Sequence, residues 1–564
     1  MSVVPMTDKW NMPTEDREAV RAIAAELRVP GLVAQVANAR GLRTAEDVQG
    51  FLEDARAPLS DPTDLTDMQV AVDRLHRARE ASEHIRVFGD YDVDGMAATA
   101  ILTRGLRRAG AEHVSYAMPD RLADGYGLSP TGVQAAARDG VDVLVTVDNG
   151  IGAHEAAAAA RAANIDLIVT DHHQIEAGLP DALAVINPKR DDPEHPFSDA
   201  CGSAVAFKLA WALTGEPADF DLAGVATVAD VVPLRRENRQ LVLRGMEELA
   251  EGTHLGLSAL ARKAGIQPRE IRAENVAFQL APRINASGRL GSGMTGLKLF
   301  FSESEEEADI LAARLDETNL ERRQIEQEIY DQALPQVEAA VERDQRSLVI
   351  AGSGWHPGVI GIVAARLQNT FWRPVVMIAL DDEGVGRSSC RSTPDFDIVA
   401  ALGACDQYLT RYGGHKAAAG MSLRAEDLDA FAAAFEAETA RVLPAGIRER
   451  ALNIDAIASF SEIDSDLLHA LDRLEPFGHE NPAPLFASYG VSVVRGSVRE
   501  LRGGHLKCTV KHGGRAFGAI GFNLAPRYAA CGSPEEVDVA YRPKFNTWRG
   551  ETTVQLELKD LKPA

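Results

Sequence analysis

Three short segments of this chain carry side chains suited to holding metal ions and attacking a phosphate. The first is Gly89-Asp90-Tyr91-Asp92-Val93-Asp94-Gly95, the second ends in Val145-Thr146-Val147-Asp148-Asn149-Gly150, and the third is Asp171-His172-His173. Asp230, in Val228-Ala229-Asp230-Val231-Val232, closes a further apolar stretch. Several anions cannot share one site without a counter-charge. Oxygen and imidazole donors suit Mn2+ or Mg2+ better than a thiolate-loving metal. Two such cations about 3.5–4 Å apart can generate hydroxide and clamp a phosphate for in-line attack. Asp92 and Asp94, two apart in an extended turn, reach a metal pair from two angles, and Asp148 stands where a carboxylate could bridge. A lone Asp after a strand is ordinarily a helix cap or turn residue. Three clusters, one with alternating aspartates and one with adjacent histidines, argue against that plainer reading.

These residues need elements that gather them. From about Ile85 to Val232, β-branched runs alternate with helical patterns. Strands are predicted at Arg86–Gly89, Val114–Ala117, Val143–Val147, Leu167–Thr170 and Ala184–Asn187, with helices at Met96–Ala109, Ser129–Arg138 and His154–Ala163. That alternation predicts a doubly wound parallel sheet, with the clusters at the C-terminal strand ends. Short helices are predicted over 14–50. A long charged helical pattern over 302–343 reads as a connector. A second α/β segment follows, with strands at Ser347–Ala351 and Val375–Leu380 and a helix at Gly358–Leu367. The stretch from about 482 holds short strands, Gly turns and aromatics, as a small Greek-key barrel does. The organisation predicted is 1–60 helical, 61–300 the metal-holding domain, 301–343 the connecting helix, 344–445 the second α/β domain and 446–564 the barrel.

A chain of 564 residues fits three or four domains of about 150 residues each. Positions 1–30 lack an apolar signal-like core, and no apolar run approaches the roughly 18 residues a membrane span needs. Cys201, Cys390, Cys405, Cys508 and Cys531 are scattered and read as reduced thiols of a cytoplasmic protein. The net charge of −24 argues against a simple nucleic-acid coater. Its distribution is uneven: Pro482–Ala564 holds twelve Lys or Arg against seven Asp or Glu, a local +5, leaving −29 elsewhere. A basic module on an acidic body is compatible with a nucleic-acid enzyme, and equally with ordinary variation in surface charge.

The chain resembles the DHH phosphoesterase superfamily, and within it the RecJ family of single-strand-specific 5′→3′ exonucleases. The resemblance rests on GDYDVDG (89–95), VTVDNG (145–150), TDHH (170–173), TVADVVPL (227–234), PRINASGRL (282–290), SGWHPGVIGIVAARL (353–367), SCRS (389–392) and GGHKAAAG (413–420). LEPFGHENPAPLF (474–486) and FNTWRGETTVQLELKD (545–560) are similar to the family's oligonucleotide-binding barrel. The three letters DHH alone are weak; the ordered set is specific and spans nearly the whole chain.

The resemblance implies a DHH domain, a DHHA1-like second domain and an OB-type barrel. It implies metal roles for Asp92, Asp94, Asp148, His172 and Asp230, with two Mn2+ or Mg2+ ions. Many members carry a His four residues before the first of these aspartates; that position is Phe88, and Asp90 is the natural substitute. His173 is expected beside the substrate phosphate, with Asp171 orienting its neighbour. Arg289, Ser389, Arg391 and His415 are expected to hold the nucleotide, and Arg121 and Tyr126 to form a substrate-side loop. A planar guanidinium such as that of Arg289 or Arg391 can grip a phosphate bidentately; a stacked Tyr126 tolerates any base. Single-strand-binding protein and a helicase are the partners implied, for a monomeric enzyme of recombination and repair with no membrane role. Two other readings remain: a DHH–DHHA1 phosphodiesterase for short oligonucleotides or cyclic dinucleotides, which needs no barrel, and an inactive replication scaffold, which needs no metal ligands.

Overall fold

The computed structural model describes residues 9–14, 16–54, 56–119, 125, 127–444, 450–548 and 550–564. The chain divides into two compact units, Glu53–Arg323 with Pro476–Pro482, and Met1–Leu52 with Gln324–Glu475 and Ala483–Ala564.

The first unit is built on five parallel strands in the spatial order Val114–Ala117, Ile85–Phe88, Val143–Val147, Asp166–Thr170, Ala184–Ile186. A parallel sheet must be covered on both faces, so its central strands are largely apolar. Val143–Val147 is buried at all five positions. Alternate residues serve opposite cores. Val143, Val145 and Val147 join the core formed with the helices Val93–Arg108 and Gly202–Thr214. Leu144 joins the other, with the helices Pro130–Arg138 and His154–Ala162. The strand order reverses between Ile85–Phe88 and Val143–Val147. Such a switch point opens a crevice beyond the strand ends, and Asp90 and Asp148 follow these two strands.

One boundary differs in a way that matters. The helix predicted from Met96 begins at Val93, because the Asp92 side chain accepts from Gly95 N at 3.0 Å and caps it. The segment expected as an extended turn is therefore half helical, and Asp94 lies in the first turn.

The second unit holds a mixed sheet in the order Arg411–His415, Ala418–Arg424, Val385–Arg391, Val375–Leu380, Leu348–Ser353. Only the last two strands are parallel to each other. The outer edge of Leu348–Ser353 is blunted by Gln336, whose amide donates to Ala351 O (2.9 Å) and accepts from Ala351 N (3.3 Å). A covered edge cannot template another chain. Gln336 lies in the connecting helix Glu305–Glu342, whose two halves belong to different units.

The C-terminal stretch forms a seven-stranded sheet, with Phe486–Val493 pairing both Glu536–Trp548 and His505–His512. Phe486 and Tyr541 fill its interior, while Phe522 and Tyr489 are 53% and 44% exposed. The segment read as purely helical before residue 60 also contains a strand. Lys9–Asn11 pairs with Ala451–Asn453, and Trp10 Nε1 donates to buried Asp560 at 2.7 Å. The helices Arg17–Leu27, Gly31–Ala39 and Ala45–Asp54 follow it. Among the described residues no helix is long and apolar enough to cross a membrane.

Candidate metal centre

The switch point gathers the predicted ligands into three overlapping groups whose donor atoms lie within 4.8 Å of one another: Asp90, Asp92 and Asp148; Asp148, His172 and His173; and Asp94, His172 and Asp230. They arrive from several elements. Asp90 follows Ile85–Phe88, Asp92 caps the Val93–Arg108 helix, and Asp148 follows Val143–Val147 in a left-handed conformation at φ 63°. His172 follows Asp166–Thr170. Asp230 is the C-cap of the Phe220–Ala229 helix, where the dipole opposes negative charge. Val231 beside it holds φ 60°, a strained conformation for a β-branched residue. Phe88, at the position where the resemblance leads one to expect a histidine, turns its ring into the core beside Leu128 and Val133. Asp90 is 2% exposed and is the residue that this strand end contributes.

Neighbouring backbone fixes the ligands. Asp94 receives two amides from the N-terminus of the Gly202–Thr214 helix, Gly202 N at 2.7 Å and Ser203 N at 2.8 Å. Gly202 has to lack a side chain, since a Cβ there would stand 2.5 Å from Asp148 Cβ. Gly95 likewise makes room for Asp90, with 2.5 Å to its amide nitrogen.

The electrostatics are those of a cation site. Burial, then the neighbouring Asp94, Asp92, Asp230 and Asp90, pushes Asp148 well above the ordinary carboxylate range. Burial and the charges of Asp94 and Asp92 push Asp230 up to about 9; Asp92 is raised by burial and Asp94. Burial lowers His172, which favours the neutral imidazole that metals take. Its Nε2 is buried without a hydrogen bond, 3.1 Å from Asp148, 3.7 Å from Asp230 and 3.8 Å from Asp94. Crowded carboxylates facing one inward imidazole nitrogen fit divalent cations, which would neutralise the first and satisfy the second.

Asp171 does not face this cluster. Its carboxylate is held by Ile151 N (2.9 Å), His172 N (2.7 Å) and His173 N (3.2 Å), and it takes His173 Nδ1 at 2.7 Å. Burial alone would raise Asp171, yet the His173 contact holds it below the ordinary value. Burial also opposes charge on His173, but the Asp171 contact outweighs it and lifts His173 to about 9.

Of the nucleotide-holding residues predicted, Arg289 lies in the last turn of the Ala281–Leu290 helix of the first unit. Ser389, Arg391 and His415 lie in the second. Arg391 donates to Ser389 Oγ (3.0 Å) and Cys390 O (2.7 Å). A Cβ on Gly361, in the first turn of the Ile360–Phe371 helix, would meet Ser389 Oγ at 2.8 Å and the Arg391 guanidinium at 3.3 Å. His415 and Arg391 both lie opposite Ala418, on its two neighbouring strands. Arg121 and Tyr126 lie outside the described residues. Three contributors went unpredicted. Gly202 belongs to no recognisable motif, Asn149 bonds Phe88 O and Val147 O to tie two strand ends together, and Asn285 reaches Val93 from 192 residues away.

A doubly wound domain with Asp and His ligands at its switch point defines a metal-centred phosphoesterase of the DHH class. The DHH family N-terminal domain matches residues 84–230, the DHHA1 domain 344–441 and the RecJ OB domain 454–560. The single-stranded-DNA-specific exonuclease RecJ of Bacillus subtilis is 34% identical over 98% of this chain and 70% of its own length. That of Escherichia coli is 32% identical over 98% of this chain and all of its own. The crystal structure of RecJ from Thermus thermophilus in complex with Mn2+ superposes with a TM-score of 0.83 at 32% identity, covering 99% of this chain and 80% of that one. The chain belongs to the RecJ family.

Proposed function

We propose that this chain is a metal-dependent exonuclease that degrades single-stranded DNA from its 5′ end to mononucleotides, in recombination and repair. The observation that carries the reading is the three overlapping groups of aspartates and histidines at the switch point, two of them sharing His172, in a chain similar to RecJ exonucleases along its length. Asp90, Asp92, Asp94, Asp148, His172 and Asp230 would hold two Mn2+ or Mg2+ ions. When bound, the ions supply a water activated at neutral pH and charge to stabilise the phosphate in flight. The residues do the rest. Asp171 fixes the tautomer and tilt of His173, which presents a proton to the phosphate or its leaving oxygen. Arg391 and Ser389 would hold the terminal 5′-phosphate, and Arg289 would grip a phosphate of the strand. The seven-stranded sheet at 456–563 supplies affinity for the strand, with Phe522 exposed for stacking. That sheet weighs against a phosphodiesterase of short substrates, and the intact ligands weigh against a scaffold. Single-strand-binding protein and a helicase are the partners this reading implies.

The test is polarity. With Mn2+, a label at the 5′ end of a single strand is expected to appear at once as mononucleotide, and a 3′ label last. Early release from the 3′ end overturns the reading. Arg391→Ala carries the same idea further. A charge-assisted hydrogen bond contributes about 1.5–3 kcal/mol, so turnover of 5′-phosphorylated strands should fall roughly 10- to 100-fold while 5′-hydroxyl strands change little. Equal losses on both ends would remove Arg391 from the phosphate.

A further inference from the structure

We infer that Asn285 is a positioning residue of the metal centre, a neutral acceptor that sets the angle at which the Asp92–Asp94 turn meets its ions. The inference rests on the reading of that cluster as a metal site. A helix leaves its first amides without partners inside the helix. In the Val93–Arg108 helix, Asp92 serves Gly95 N, and the first amide, Val93 N, goes to Asn285 Oδ1 at 3.0 Å. With Val93 N taken from outside, the Asp92 carboxylate is not drawn back onto it.

The segment that delivers Asn285 lies on the turn at backbone contact. A Cβ on Gly288 would stand 2.2 Å from Tyr91 O, one on Gly293 3.2 Å from Tyr91 Cα, and one on Gly296 2.5 Å from Met96 Sδ. Three glycines along Ala281–Phe300 thus bear on residues 91–96, between and beside the aspartates. At Gly288 and Gly293 backbone meets the backbone of Tyr91, and packing this close transmits position, because no flexible chain stands between them to absorb a shift. The residue type also fits. Asp90, Asp92 and Asp148 already crowd their carboxylates within 4.8 Å of one another, and an amide offers an acceptor oxygen without a further negative charge. The partners that orient a metal's ligands typically cost roughly 10- to 100-fold in metal affinity when removed.

The experiment titrates the metal-free full chain with MnCl2 by calorimetry, for the parent, Asn285→Ala and Asn285→Asp, with melting in EDTA alongside. Asn285→Ala is expected to bind Mn2+ roughly 10- to 100-fold more weakly and to need correspondingly more Mn2+ for half-maximal turnover. Its KM for the strand at saturating Mn2+ should not change. Asn285→Asp keeps the acceptor oxygen and should bind Mn2+ at least as tightly as the parent. A folded Asn285→Ala that titrates like the parent overturns the inference, as does an Asn285→Asp as weak as Asn285→Ala. If Asn285→Ala does not fold, Asn285→Asp decides alone, and weaker binding than the parent overturns it. Calorimetry needs no turnover. A parent that binds Mn2+ without degrading strands would refute the proposed function and leave Asn285 to be judged by its own titration.

Discussion

Asp148→Asn will abolish strand degradation and raise the melting temperature of the metal-free protein. Asp148 belongs to two of the three ligand groups, so its loss loosens both ends of the centre at once. Metal charge stabilisation contributes several kcal/mol to a phosphoryl transition state, and each 1.36 kcal/mol is tenfold in rate. Turnover should fall by on the order of a thousandfold or more. The stability effect has the opposite sign. Burial and four neighbouring aspartates raise Asp148, so without metal the folded state pays to ionise what the unfolded chain ionises freely. The linkage sign follows. A carboxyl whose folded value is raised keeps its proton in the native state after the unfolded chain has lost it, so stability falls as pH climbs through that interval. For Asp230 the interval runs from the ordinary value of 3.8 to about 9. Melting in EDTA between pH 5 and 9 should therefore fall less steeply for Asp148→Asn than for the parent. Asn suits the site, because it tolerates the left-handed backbone at φ 63°. Turnover within a few-fold of the parent, or an unchanged melting curve at pH 8, would contradict this account of the centre.

Asp171→Asn should cut turnover by roughly 10²- to 10⁴-fold, the range a positioned acid or base contributes, with strand binding intact. Asp171 is 1% exposed and anchored by three backbone amides, so the substitution leaves its surroundings in place. What it removes is the charge that lifts His173 to about 9 against burial. In the metal-free variant the His173 ring should titrate well below that value, which NMR of the imidazole protons reads directly. The pH dependence of stability has the same sign as for Asp148, because His173 too holds its proton longer in the folded state, but here the protonated form is the favourable one and the substitution costs stability at low pH. A histidine with a raised folded value stabilises fully below its ordinary 6.5, and the benefit is lost as pH rises through about 9. The variant should thus lag the parent in melting most below pH 6.5 and converge with it above about pH 9. A His173 that titrates as in the parent would show that Asp171 does not control it.

How much of this could be read from residues alone depended on how local each signal was. Val114–Ala117, Val143–Val147 and Val375–Leu380 were legible because each is an apolar run bounded by turn formers, and the strands occupy those bounds. The ligand clusters were legible because their members are adjacent in sequence, so residue type and spacing carry the signal together. The start of the Val93–Arg108 helix was not, since Asp92 looks the same as ligand and as cap, and here it caps. Gly202 and Asn285 were missed because what defines them is a neighbour 54 and 192 residues away. Lys9–Asn11 gave no strand pattern at all. Its three residues are held by a partner strand and by the bond from Trp10 to Asp560.

That last contact bears on the order in which the molecule can be made. Lys9–Asn11 leaves the ribosome early, yet Ala451–Asn453 and Asp560 emerge hundreds of residues later. At about 5–20 residues per second the wait is roughly 20 to 110 seconds. All five strands of the parallel sheet lie between Ile85 and Ile186, so that sheet can pair long before the first strand finds its mate. Val20, Ile23, Ala34, Ala37 and Val48 share a small core of their own, which shelters the leading helices meanwhile, but Trp10 has no such refuge. A nascent chain stalled before residue 451 should therefore be nicked by protease around Lys9–Asn11 while its parallel sheet resists. Lesions around residues 451–453 or 560 would thus be felt at Lys9–Asn11, hundreds of residues away in sequence.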